Sequence, residues 1–196
     1  MAKRKNQQAF PALDAIQHEM RRVKSQSKYH QALKSTLGTI VVVAALAVLV
    51  ASIFLPVLRV TGTSMQPSFT PGDILVAYKT REYVPGDVCS FYYNNKLIIK
   101  RIIALGGDMV EMDDDGRVYV NGMMLEEPYI RTYSLGLCDI EFPFQVPTGQ
   151  LFVLGDYRDS SVDSRSQAFG CVSEEEMVGK IVLRVWPAQS FTYYGI

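Results

Sequence analysis

The sequence predicts a mostly β protein in which a single N-terminal transmembrane helix precedes an antiparallel β-sheet domain. Two observations lead to this prediction. Residues 35–58 carry no charge, and beyond Arg59 short runs rich in Val, Ile, Phe and Tyr alternate with turns of Gly, Pro, Asp or Asn. The chain has 196 residues, 48% of them hydrophobic, which suffices for one domain beside the helix and is too apolar for a disordered chain.

The charge-free segment, residues 35–58, is long enough to cross a membrane. As an α-helix its 24 residues would be about 36 Å long, against about 30 Å for the hydrocarbon core of a bilayer. A buried core helix and a cleavable signal peptide are the alternatives. The basic region before this segment is much longer than that of a usual signal peptide, which favours a permanent anchor.

The distribution of charge predicts the orientation of this anchor. Residues 1–34 contain eight lysines and arginines against two acidic residues, a net charge of +6. The rest of the chain contains 12 lysines and arginines against 18 acidic residues, a net charge of −6. Because basic flanks tend to stay inside, we expect residues 1–34 to form a partly helical cytoplasmic tail next to the phospholipid bilayer. Residues 59–196 then form an extracytoplasmic domain, whose acidic balance argues against nucleic acid as a partner.

Seven segments of that domain have the composition of strands and are separated by turn-forming residues. Asn121-Gly122, between an apolar run and Met123-Met124, is typical of a tight β-hairpin, because both central residues of such a turn need a positive φ. The predicted strands are residues 74–78, 88–93, 97–103, 109–112, 118–120, 151–154 and 180–185.

The absence of histidine from the β domain excludes several kinds of catalytic site. The only two histidines, His18 and His30, lie in the basic tail. A Ser-His-Asp triad, a Cys-His pair and a His-rich zinc site are therefore excluded there, and we expect neither a metal nor a cofactor. The chain has three cysteines, Cys89, Cys138 and Cys171. They could form one disulfide and leave one free thiol, or all three could be free.

Two segments carry a candidate nucleophile and a candidate base. Ser64 lies in a turn containing Gly and Pro shortly after the membrane segment, where a serine is usually structural. Because successive side chains of a strand point to opposite faces, a strand along residues 97–103 would place Lys100 on the same face as Ile98 and Ile102. Desolvation there would lower the pKa of the lysine and make it a general base, unless its side chain snorkels to the surface from an edge strand.

A third segment, residues 155–165, reads Gly-Asp-Tyr-Arg-Asp-Ser-Ser-Val-Asp-Ser-Arg. A surface turn can have this composition. The density of Asp, Arg and Ser favours instead a loop braced by charge-assisted hydrogen bonds that hold a fixed geometry.

These segments, in this order behind one membrane span, resemble the motifs of bacterial type I signal peptidase, and the resemblance extends over nearly the whole chain. Residues 64–67, Ser-Met-Gln-Pro, are similar to the nucleophile motif of that family, and residues 71–76 to the motif that follows it. Residues 100–108 are similar to the general-base motif and residues 155–165 to the last one. Four motifs in register are far more specific than any one of them.

The resemblance implies a role for each matching residue. Ser64 corresponds to the nucleophile and Lys100 to the general base. Ser161 corresponds to the residue that orients the lysine, and Asp163 and Arg165 to residues that brace the site. By looser similarity, three apolar residues wall the substrate pockets: Val60, Phe69 and Ile99.

The implied protein is a membrane-anchored serine endopeptidase with a signal-peptidase-like β fold, located in the bacterial cell membrane. Its substrates are secretory preproteins with Ala-x-Ala-like cleavage sites. Weaker alternatives are a self-cleaving Ser/Lys protease of the repressor type, the eukaryotic or archaeal signal peptidase pattern, in which a histidine replaces Lys100, and a catalytically inactive membrane-anchored binding module.

Gly62 stands, as it does in other members of the family, where some members have a serine that donates a second hydrogen bond to the oxyanion. The sequence departs from the family pattern at two other places near the site. Tyr157 stands where the family commonly has an asparagine. Residues 104–108, Ala-Leu-Gly-Gly-Asp, replace a common Gly-x-Pro-Gly-Asp. These differences concern loop geometry and the oxyanion donors rather than the reaction class.

Overall fold

The computed structural model describes residues 13–194, and the chain divides after Ala51 into a helical unit and a β unit. Helix α1 (Leu13–Phe54) forms the described part of the first unit, and its last three residues belong to the second. Within it, the 23 residues Ala32–Phe54 are long and apolar enough to cross a membrane. The basic residues 3–5 of the predicted tail lie outside the described residues.

The helix ends four residues before the predicted end of the membrane segment, residue 58. Pro56 disfavours helical geometry at Leu55, and Val57 and Leu58 pair with a neighbouring strand instead. The first strand begins at Val57, two residues before the predicted boundary between residues 58 and 59.

The described part of the β unit contains twelve strands, most of them short. They are β1 (Val57–Arg59), β2 (Ile74–Tyr78), β3 (Val88–Tyr93), β4 (Lys96–Leu105), β5 (Met109–Met112), β6 (Val118–Val120), β7 (Met123–Met124), β8 (Phe144–Gln145), β9 (Gln150–Leu154), β10 (Val172–Ser173), β11 (Met177–Trp186) and β12 (Thr192–Tyr193). All seven predicted strands are present, with ends that differ by up to three residues.

The strands form two antiparallel sheets. The larger sheet has eight strands in the order β1-β2-β11-β3-β4-β9-β10, with β12 paired to β11. The smaller sheet has the order β7-β6-β5-β8. The predicted hairpin joins β6 and β7, with φ values of 53° at Asn121 and 78° at Gly122. An apolar cluster connects the sheets, since Ile103 and Phe152 of the larger sheet pack with Val110 of the smaller one.

The register of the larger sheet brings the three motif segments together. Strand β4 pairs with β3 along residues 96–101 and with β9 only from Arg101 onward. The edge of β4 before Arg101 that faces away from β3 therefore has no partner among the described strands. The turn after β1 carries Ser64, β4 carries Lys100, and the loop after β9 carries residues 155–165.

Candidate active site

Ser64 lies in a tight turn that is anchored in the core. The backbone N–H of Gln66 donates to the carbonyl of Thr63 at 3.0 Å, and that of Phe69 donates to the carbonyl of Met65 at 2.9 Å. Met65 and Phe69 are only 3% and 0% exposed. The turn is thus fixed by its own hydrogen bonds and by two buried side chains, which leaves Ser64 partly exposed.

Lys100 is buried in β4, with 2% of its surface exposed. Its neighbours at alternate positions, Ile98 and Ile102, both belong to the apolar cluster on that side of the strand, as the sequence pattern predicted. Burial lowers the pKa of Lys100 from 10.5 to about 8, and the negative charge of Asp163 opposes this effect only in part. Burial therefore gives Lys100 a larger fraction of the neutral amine, the form that can accept a proton, than an ordinary lysine has.

The amine of Lys100 is held by Ser161. Its Nζ atom donates a hydrogen bond to the Oγ of the fully buried Ser161 at 2.6 Å. Gly155 makes room for this contact. A Cβ at Gly155 would lie 2.6 Å from both the Cβ of Ser161 and the carbonyl oxygen of Ser64.

Asp163 and Arg165 form a fully buried ion pair behind Ser161. Two nitrogens of the guanidinium donate to the two carboxylate oxygens at 2.8 and 2.9 Å, and the N–H of Gly155 donates to the same carboxylate at 3.0 Å. Burial alone would raise the pKa of Asp163, but its hydrogen bonds and its pairing with Arg165 lower it below the ordinary value. Arg165 also donates to the carbonyls of Ser134 and Leu135, which leaves it rigid.

Two further ion pairs brace the surrounding loops. Arg101 binds Asp156 through two hydrogen bonds of 2.9 and 2.7 Å and lies 3.8 Å from the centre of the Tyr129 ring. Arg158 pairs with Glu127, and both are almost fully buried. Sequence reasoning gave no role to Glu127 or Tyr129. The signal that the sequence offers there is that residues 127–129, Glu-Pro-Tyr, resemble the segment that follows a hairpin in the type I signal peptidase family.

A cleft of about 370 Å³, called the first cleft below, is lined by both Ser64 and Lys100. Its apolar walls include Ile98, Val162 and Phe169 and suit an apolar stretch of peptide. The sequence did not predict these three as pocket residues.

The predicted pocket residues lie elsewhere, in one apolar cluster that includes Met65 of the Ser64 turn. Val60 and Phe69 are 6% and 0% exposed, and Ile99 packs against them while remaining partly exposed. Ile99 is therefore the one of the three whose side chain has surface available for a substrate.

The structure thus gathers a serine hydroxyl, a buried lysine of lowered pKa and a rigid polar support at one cleft of a β domain, a set of groups that fits a serine hydrolase with a lysine base. Comparison with known proteins supports the serine hydrolase class. The model of the family described as "Signal peptidase, peptidase S26" matches residues 33–186. The chain therefore belongs to the signal peptidase family S26, and like its homologues it is a serine endopeptidase that removes signal peptides.

Similar proteins include the Signal peptidase I of Bacillus caldolyticus, 37% identical over 151 residues that cover 68% of this chain and 81% of the relative. Signal peptidase IB of Staphylococcus aureus strain MRSA252 is 36% identical over 155 residues, which cover 68% of this chain and 79% of the relative. Among solved structures, a signal peptidase I of Enterococcus faecalis V583 is 31% identical with a TM-score of 0.42, covering 50% of this chain and 96% of that one.

Proposed function

We propose that Ser64 is the nucleophile and Lys100 the general base with which this peptidase cleaves the bond between a signal peptide and the mature chain. One observation carries the assignment. Lys100 is buried, has a pKa lowered to about 8 and lines the same cleft as Ser64. The β domain contains no histidine that could take this role.

The reaction follows from these two groups. The neutral amine of Lys100 takes the proton of the Ser64 hydroxyl as its oxygen attacks the carbonyl carbon before the cut. The resulting ammonium gives this proton to the leaving amine, which departs as the new N-terminus and leaves an ester on Ser64. Lys100 then deprotonates a water molecule that hydrolyses the ester, and it returns a proton to Ser64.

Three residues support Lys100 without touching the substrate. Ser161 fixes the Nζ atom, Arg165 donates to the backbone carbonyl of Ser161, and Asp163 accepts from the N–H of Gly155. The backbone N–H of Ser64 is our candidate donor to the oxyanion. Gly62 adds no side-chain donor.

We further propose secretory preproteins with Ala-x-Ala-like sites as substrates. An extended peptide can add to the edge of β4 that has no partner among the described strands, beside Lys100. Ile99, backed by the buried Val60 and Phe69, would exclude large side chains near the cut. We place α1 across the bacterial cell membrane with the basic tail in the cytoplasm, in keeping with the charge distribution.

The proposal is tested by incubating the full-length protein in detergent with a secretory preprotein, wild type beside Ser64→Ala. We expect the wild type alone to release a mature chain whose new N-terminus follows an Ala-x-Ala-like sequence. Both proteins should show the same thermal unfolding, since Ser64 is partly exposed. Cleavage by Ser64→Ala at the wild-type rate would refute the assignment of the nucleophile.

A further inference from the structure

A second cleft adjoins the Ser64 turn and has no part in the mechanism above. It has a volume of about 280 Å³ and shares no lining residue with the first cleft. Its lining includes Gln66, two residues after Ser64, and Tyr157, whose backbone N–H donates to the carbonyl of Ser64 at 3.0 Å. The nucleophile turn therefore borders both clefts, with Ser64 lining the first and Gln66 the second.

The two clefts differ in chemical character. The surface of the first cleft is mostly apolar, with Ile98, Val162 and Phe169 in its walls, although Lys96 and Asn94 also line it. The second is lined by charged and polar side chains, among them Arg131 and Asp159. The two sides of the cleavage site in a preprotein differ in polarity in the same way. The signal peptide ends in small and apolar residues, while the mature chain begins with the N-terminus of a protein that is exported into water.

Arg131 is the cation of the second cleft that a ligand can reach. Arg158 also lines this cleft, but it is 1% exposed and neutralised by Glu127. Arg131 is exposed and takes part in none of the ion pairs formed among residues 13–194. Asp159 is the exposed anion of the same cleft. Peptide charges on this side of Ser64 therefore meet one available positive and one available negative group.

We propose that the second cleft receives the first residues of the mature chain, and that Arg131 makes the enzyme favour substrates with a carboxylate there. This inference rests on the assignment of Ser64 as the nucleophile. It also gives the direction of the bound peptide, with the signal peptide in the first cleft and the leaving chain in the second. Tyr157, which departs from the common asparagine of the family, forms part of the wall that the leaving chain passes.

The test uses pairs of peptide substrates that differ only in Asp or Lys at one of the first four positions after the cut. Both members of a pair compete in one reaction with the full-length enzyme, and mass spectrometry gives the ratio of their kcat/KM values. This ratio does not depend on the fraction of enzyme that is folded, so a merely structural role of Arg131 would not change it.

For the wild type we expect the Asp peptide to be favoured about two- to fivefold at one or more of these positions, which is the size of an exposed ion pair. Arg131→Glu should reverse the preference at the same positions, and Asp159→Asn should increase it. Added salt should weaken the wild-type preference, because the charges are exposed.

Arg81→Glu is the matched control, since Arg81 is also an exposed arginine but lines other clefts of the β unit. It should leave the ratio at the wild-type value. If Arg131→Glu has the wild-type ratio at all four positions, the inference is wrong even though Ser64→Ala is inactive. If Ser64→Ala cleaves these peptides, the proposed function itself fails, so the two failures are distinguishable.

Discussion

The proton affinity of Lys100 is the single-residue property that most affects the proposed reaction. With a pKa of about 8, about one molecule in ten carries the neutral amine at pH 7, against about one in three thousand for an ordinary lysine. The largest cause is burial between apolar neighbours, and the nearby carboxylates oppose it. Ser161 contributes position, because its Oγ lies 2.6 Å from the Nζ atom.

We predict that kcat/KM rises with pH and levels off above a midpoint near 8. The sign follows from the role of the lysine, because only the deprotonated amine can take the Ser64 proton, and deprotonation increases as pH passes the pKa. A pH profile of peptide cleavage measures the midpoint. Lys100→Met, which is uncharged and of similar length, should be inactive across the whole range. A midpoint near 10.4, the value of an exposed lysine, would contradict the role of burial.

At the scale of elements, the β9 strand is followed directly by a glycine on which the site depends. Gly155 follows Leu154 and lies against both Ser161 and the backbone of Ser64, whereas a Cβ at Gly62 would meet no atom within 4 Å. The two glycines flank the same nucleophile turn, but only one of them is required by packing.

We therefore predict that Gly155→Ala lowers kcat on the order of a hundredfold, because displacing the nucleophile or its base by about 1 Å has an effect of that size. Gly62→Ala is the matched control and should keep the wild-type rate. Steady-state kinetics with one peptide substrate would compare the two, and thermal unfolding would show whether each variant is folded. Equal rates for Gly155→Ala and the wild type would show that the loop can move aside without loss of geometry.

Local sequence signals predict some of the secondary-structure elements and not others. The alternation along residues 97–103 predicted the strand and the inward face of Lys100, and Asn121-Gly122 predicted the hairpin, because both signals are local. Strands β8 and β10 have two residues each and were not predicted, since two residues contain no period. The predicted membrane segment extends four residues beyond the end of α1 because an uncharged sequence continues into β1.

At the scale of the whole molecule, the site is held by contacts between distant parts of the chain. Arg158 pairs with Glu127 across 31 residues, and Arg165 reaches the carbonyl of Ser134 across the same separation. No local pattern indicates such partners. Residue types and motif similarity therefore predicted Ser64, Lys100 and the residues of the last motif, but not the walls of the clefts or the segment that completes the ion pairs.

The charge difference between the two ends of the span leads to a prediction for the whole chain. The positive-inside tendency is set by cations within about 15–20 residues of the span. On the N-terminal side of the apolar segment, Ala32–Phe54, these are Arg21, Arg22, Lys24, Lys28 and Lys34, the last of which lies at its start, whereas Arg59 is the nearest cation on the other side. Replacing these five by Gln should therefore reverse or mix the orientation, and preprotein processing in cells should fall.

The orientation can be measured in spheroplasts that carry an epitope at the C-terminus, by its accessibility to an added protease. The control exchanges Lys for Arg and Arg for Lys at the same five positions, which keeps the charge and should keep the wild-type orientation. The purified Gln variant should still cleave peptides in detergent, because none of the five residues belongs to the β unit. A C-terminus that stays fully accessible in the Gln variant would show that something other than the basic tail determines the orientation.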